Sequence, residues 1–134
     1  MTIPFQSDAL GKLILRLTLG GLILFHGVSK VLNPAAIDGI SKNLATMGLP
    51  GAFGYAVYLG EVLAPLLILL GLYSRVGGLL VMINMIFAVL LNHTAQLMTL
   101  SKSGGWALEL QGFYFLCGLT VFLLGSGRFA VKPD

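Results

Sequence analysis

Apolar and polar positions separate along this chain into long blocks. Four hydrophobic segments stand out, running from about Leu10 to Val31, Phe53 to Leu72, Val76 to His93 and Trp106 to Leu124. Each is about long enough to cross a hydrocarbon layer of roughly 30 Å as a helix rising 1.5 Å per residue. The stretch between the first two has a different rhythm: Ile37, Ile40, Leu44 and Met47 recur at helical spacing, with Asp38, Ser41 and Lys42 between them. That pattern predicts a short amphipathic helix lying in the membrane interface or capping the bundle. Asn33-Pro34 reads as its N-cap and first residue, and Gly48 and Pro50 end it. Segments two and three are joined by little more than Tyr73-Ser74-Arg75, which makes them an antiparallel hairpin. Thr94 to Gly105 reads as a polar loop. Lys12 ahead of an apolar run resembles the start of a signal peptide, but the run is too long and no small-x-small cleavage site follows, so the segment is read as retained. The expected fold is all-α: a single domain over 1–134 forming an integral membrane four-helix bundle, with a short amphipathic helix between helices one and two.

Composition excludes the competing classes. Of 134 residues, 57% are hydrophobic and only 10% charged, and the mean hydropathy is +0.94. A soluble domain carries about 25% charged residues, and a disordered chain could not leave so much apolar surface in water. The length allows at most about five or six spanning helices, too few for a two-repeat transporter in one chain. The net charge of +3 comes without a basic run, so no nucleic-acid partner is expected. The lone Cys117 excludes an internal disulfide or a C-x-x-C pair and reads as packing. Four spans place Lys12, Arg75, Arg128 and Lys132 on one side, with Arg16 if it snorkels to the headgroups, and Lys30, Lys42 and Lys102 on the other. Five against three puts both termini in the cytoplasm. Trp106, Tyr55 and Tyr58 then form an outer aromatic belt, and Tyr73, Phe5 and Phe129 an inner one.

Ionisable residues inside spanning segments carry the most information, because burying one in lipid costs about 2.5 to 3.5 kcal/mol on insertion scales. Arg16, His26, Glu61 and Glu109 are the clear cases, and His93 closes segment three. Counting rise along each helix puts His26, His93 and Glu109 in the outer part of the bundle, Glu61 deeper, and Arg16 near the inner face. The remaining axial gap between Arg16 and Glu61, of order 8 to 10 Å, can be bridged by two long side chains, so these two are expected to pair. Arg16, Gly20 and Gly27 share one helical face, which aims Arg16 into the bundle. Pro65, four residues beyond Glu61, deprives the Glu61 carbonyl of its helical partner and kinks the helix. Ala56, Gly60 and Ala64 form a small-residue stripe beside it. This place reads first as a kink with a structural ion pair and second as a proton or cation site.

The outer cluster of His26, His93 and Glu109, with Lys30 nearby, admits three readings. Mutually satisfied polar residues fixing helix order lead. A site for a polar headgroup such as a quinone carbonyl follows. A zinc or iron site comes last, because no two candidates share a helix at metal-ligand spacing, and no metal is expected. Asn84, Ala88 and Asn92 on segment three read as an interhelical hydrogen-bonding face. Phosphate loops, nucleophile elbows and haem-attachment motifs are absent from the sequence.

The order of these elements resembles the DoxX family of small four-helix bacterial membrane proteins, over nearly the whole chain. The resemblance rests on Arg16, on Phe25-His26-Gly27-Val28-Ser29-Lys30, and on Met47-Gly48-Leu49-Pro50. It continues through Glu61 followed by Leu69-Leu70-Gly71-Leu72-Tyr73-Ser74-Arg75, then Glu109 and Gly125-Ser126-Gly127. The Ser-x-Asp that often follows the last glycines in the family is replaced by Arg128-Phe129-Ala130-Val131. The resemblance implies a bacterial inner-membrane location and marks Arg16, Lys30, Glu61, Arg75 and Glu109 as positions to test. Some relatives are membrane subunits linked to thiosulfate–quinone oxidoreductase or to redox-stress complexes.

The leading functional expectation is a membrane subunit or anchor of a quinone-linked redox system, with a quinone as candidate cofactor and a redox protein as partner. Arg16 and Glu61 would form its central polar pair, and His26 and Glu109 would line the outer pocket. Were the chain catalytic, Glu109 or His26 would protonate a reduced quinone oxygen. Two alternatives stand beside this: a non-enzymatic module binding or transporting a proton, cation or small lipophilic ligand, and a membrane assembly factor. Small-residue stripes also make a homo-oligomer a candidate state.

Overall fold

A computed structural model describes residues 7–134; for residues 52 and 92–94 only the backbone is described. The chain is helical, and among the described residues extended pairing is limited to two isolated bridges, Leu72 with Lys132 and Leu100 with Trp106. Helix α1 (Asp8–Leu32) starts where the Ser7 hydroxyl accepts from the Leu10 N–H at 3.2 Å. It ends where the Asn33 N–H reaches the Ser29 carbonyl at 3.0 Å. Asn33 therefore closes α1. The following α2 (Ala35–Thr46) has Pro34 at its cap position and no side-chain cap, so the expected Asn33 side-chain cap does not form. The amphipathic reading of α2 holds: Ile37 and Leu44 are buried, while Met47, just past its end, is exposed.

Helix α3 (Phe53–Leu70) is irregular, and its sequence says why. It begins within a 3-10 turn over Gly51–Ala56, opens into a π turn over Leu59–Leu63 and becomes a regular α-helix from Ala64. Pro65 has no N–H to offer the Glu61 carbonyl, and a locally widened turn is how a helix absorbs such a missing bond. Gly71, at φ 74°, stops the helix. As the short linker required, α4 follows at once as a hairpin partner, α-helical over Ser74–Ala88 and closing in a second π turn, Val89–His93. Helix α5 (Glu109–Leu124) packs on α4 through two facing glycines. A side chain at Gly78 would stand 2.5 Å from the Gly118 carbonyl, and one at Gly118 would stand 2.9 Å from that of Gly78.

Helices α1, α3 and α4 are long and apolar enough to cross a membrane, whereas α5 is apolar but has 16 residues. Its start is displaced from the expected Trp106 to Glu109 by contacts made on its N-terminal side. The Trp106 indole donates to the Leu97 carbonyl at 2.8 Å and the Ala107 N–H to that of Thr99 at 3.0 Å, closing the loop on itself before the helix begins. The core where the helices meet comprises Leu19, Ile23, Ala64, Ile68, Val81, Met85, Tyr114 and Val121. Beyond α5 the chain folds back along the α3–α4 turn, where the Val131 and Lys132 N–H groups donate to the carbonyls of Leu70 and Gly71.

Candidate functional site

Two polar centres are built into the helices, one at each end. At the α3–α4 turn, Arg16 is 1% exposed and its guanidinium donates only to backbone carbonyls. Nε reaches Ile68 at 2.9 Å, Nη2 reaches Leu69 at 3.2 Å, and Nη1 reaches Ser126 at 3.0 Å and Phe129 at 2.6 Å. Ile68 and Leu69 lie in the last turn of α3, where carbonyls lack helical partners and the helix dipole is negative. Arg16 thus caps α3 from a neighbouring helix. Arg75 plays the same part for α5, donating through Nη1 to Phe122 and Leu123 at 2.8 and 3.1 Å. Its backbone N–H meets the Asp134 carboxylate, which also accepts from the Ser126 N–H.

The expected Arg16–Glu61 pair therefore does not form. The register between α1 and α3 explains it. A side chain at Gly27 would lie 1.9 Å from the Glu61 carbonyl, whereas one at Gly20 would meet Leu69 and the Pro65 carbonyl. Glu61 thus stands level with Gly27, roughly 16 Å along α1 from Arg16. Residues 51–56 pack on α2 instead of extending α3 beside α1, and this keeps Glu61 near the far end of α1. The shared face of Arg16, Gly20 and Gly27 is buried as the spacing required.

At the other end, Lys30 and Glu61 form an ion pair, Nζ to Oε1 2.5 Å, and the Tyr58 hydroxyl donates to the Lys30 carbonyl at 3.4 Å. The Glu61 side chain is 8% exposed and that of Lys30 23%, so the carboxylate is the more buried member. The pair borders a cavity of about 580 Å³ lined by all five helices. Its walls are apolar, with Ile23, Ile40, Leu44 and Leu80 among them, and six side chains bring polar atoms to it: His26, Lys30, Glu61, Asn84, Gln111 and Tyr114. The edge of the His26 ring packs against Tyr114, with centroids 6.2 Å apart and planes at 81°.

The cavity contains part of the expected outer cluster. His26 and Lys30 line it, and Glu61 joins them instead of Arg16. Glu109 does not: it is exposed at the start of α5 with its carboxylate turned towards Gly105. Gln111 and Tyr114, three apart on one helical face, are the polar residues α5 contributes. The side chain of His93 lies outside the described residues. Among the described residues no His, Cys, Asp and Glu side chains gather in a group of three that could hold a metal. Asn84, read as an interhelical hydrogen-bonding residue, packs its Cβ and amide against Gly60 and lines the cavity, with no hydrogen-bond partner among the described residues.

This fold and site define a class: an α-helical membrane protein with a polar-ended cavity inside the bundle. The family model described as DoxX matches residues 11–94, and the chain belongs to the DoxX family. The match takes in Arg16, His26, Lys30, Glu61 and Arg75, while Glu109 and Gly125-Ser126-Gly127 lie beyond it. The chain is also similar to the curated Bacillus subtilis (strain 168) protein named "Putative oxidoreductase CatD", 28% identical over 85 residues, 63% of this chain. The matched region spans 61% of that relative's length. No solved structure matches the chain.

Proposed function

We propose that this chain is a bacterial inner-membrane protein with α1, α3, α4 and the shorter α5 all spanning and both termini cytoplasmic. In this reading it serves as a membrane subunit or anchor of a quinone-linked redox system, and its cavity holds the quinone head. One observation carries the reading: an apolar space of about 580 Å³ that ends on a buried ion pair and on hydrogen-bonding groups without partners. Among the described residues the Tyr114 hydroxyl and the amides of Asn84 and Gln111 have no hydrogen-bond partner. Open donors beside apolar walls suit a ligand with a polar ring and a hydrocarbon tail. Lys30, Asn84, Gln111 and Tyr114 would hold the ring oxygens, and the walls from Ile23 to Leu80 the apolar part.

A quinone would supply the electron-carrying chemistry that none of these side chains offers. The protein's own contribution is to orient the ring, exclude water and keep a carboxylate and an ammonium beside its oxygens. The similarity to a protein named an oxidoreductase supports a redox setting.

Native mass spectrometry of the protein, extracted in mild detergent from its own membrane, tests this. The expected spectrum shows a retained mass of a prenylated quinone. Ala88→Trp, which fills the cavity wall without touching the ion pair, should abolish that mass while the protein stays folded. A wild-type spectrum showing the bare chain only would contradict the proposal.

A further inference from the structure

The polar end of the cavity is unequal in what it offers. Lys30 donates to Oε1 of Glu61, and among the described residues no donor reaches Oε2. Glu61 lines the cavity, and among the described residues the one enclosed side-chain polar atom left without a partner is Ser74 Oγ, not Oε2. An ionised carboxylate can only accept hydrogen bonds, and an ammonium can only donate them. Tyr114, Asn84 and Gln111 can do both and favour neither kind of ligand oxygen.

A ligand hydroxyl at this place satisfies both members of the pair, donating to Glu61 Oε2 and accepting from Lys30. A carbonyl oxygen can accept from Lys30 but sets its lone pairs against those of Oε2. The hydrogen bond gained by the hydroxyl is charge-assisted and lies between largely apolar walls, where such bonds are strong and unmatched polar atoms costly. We infer that the cavity selects the hydroxyl-bearing, reduced form of its ligand over the carbonyl form, with Glu61 as the residue that determines the preference. The inference rests on the quinone reading and adds to it a redox state.

The test is an anaerobic equilibrium titration of the wild-type protein in detergent with a short-chain ubiquinol and with the matching ubiquinone. The quinol is expected to bind at least about tenfold more tightly, the scale of one charge-assisted hydrogen bond. The dimethyl ether of the quinol, which has the same ring without O–H groups, should lose that advantage in the unaltered protein. Glu61→Gln should bring the two affinities within about threefold, chiefly by weakening the quinol. Equal binding of both forms, or tighter binding of the quinone, would overturn the inference and leave the quinone reading intact. Binding of neither form by folded protein would sink both.

Discussion

Arg16→Ala is expected to lower the stability of the bundle by about 3 to 5 kcal/mol, the range for removing one partner of a buried charged network. That is large against a total of about 5 to 15 kcal/mol, and a thermal midpoint in detergent should fall by on the order of 10 °C. The reason is that one guanidinium joins three parts of the chain: α1, the last turn of α3 through Ile68 and Leu69, and the returning segment through Ser126 and Phe129. Truncation leaves buried carbonyls facing a void. Arg16→Lys keeps the charge, but a single ammonium cannot reach acceptors spread around a planar fork. It should lose about half as much stability as the alanine variant.

Double-mutant cycles separate this arrangement from a central Arg16–Glu61 pair. Groups about 16 Å apart without shared partners should give effects that add within about 0.5 kcal/mol. Arg16→Lys combined with Glu61→Gln is expected to be additive in this sense. Lys30→Met combined with Glu61→Gln should instead couple by more than about 1 kcal/mol. The opposite pattern would return Arg16 to Glu61.

Gly27→Val should be the most disruptive single change on the face α1 presents to α3. Even an alanine Cβ there would sit 1.9 Å from the Glu61 carbonyl oxygen, a backbone atom that cannot rotate away. The helices must separate, and overpacking of this kind costs about 1 to 3 kcal/mol or more. Separation would also displace Glu61 from Lys30, so ligand binding should weaken together with stability. Gly20→Ala is expected to be milder, since its nearest obstacle is the Leu69 side chain at 2.8 Å. Gly21→Ala has nothing within 4 Å and should be neutral or stabilising by up to about 1 kcal/mol through helix propensity. Thermal melts of the three variants in one detergent check the order. A Gly27 variant as stable as the Gly21 variant would mean that α1 and α3 do not meet in this register.

Much of the architecture was legible because it follows from periodicity. The long apolar run of α1, the amphipathic rhythm of α2 and the tight turn at Tyr73 each carry a local signature, and each appears where expected. The inward aim of Arg16 was also legible, from its sharing a face with Gly20 and Gly27. Its partners were not. Every residue has a carbonyl, so an arginine that caps a helix end leaves no acidic partner to find in the sequence. Glu61 is the nearest buried carboxylate the sequence offers Arg16, yet in the structure its partner is Lys30, whose place beside the outer cluster does not point to Glu61. Rise per residue misplaced Glu61 because it assumes that a helix begins at the membrane surface, whereas residues 51–56 pack against α2.

The candidate site shows the same division. His26, Lys30 and Glu61 stood out because an ionisable group in an apolar run is conspicuous. Gln111 and Tyr114 are common in membrane helices and become part of the site only through the face of α5 that meets the cavity. Glu109 was conspicuous for its charge, yet the loop closed by Trp106 makes it the first residue of α5, where an acidic side chain suits the positive end of the helix dipole.

Photolabelling most directly tests the central claim that the cavity bordered by Lys30 and Glu61 receives a quinone head. A quinone carrying a photoactivatable azide on its ring would be irradiated with the protein in bilayers, and the modified residues located by fragmentation mass spectrometry. The account predicts labels on cavity-lining positions such as Ile23, Asn84 and Tyr114, suppressed by excess unmodified quinone. Labels confined to outward-facing positions such as Phe25 and Leu123, unaffected by competitor, would contradict it.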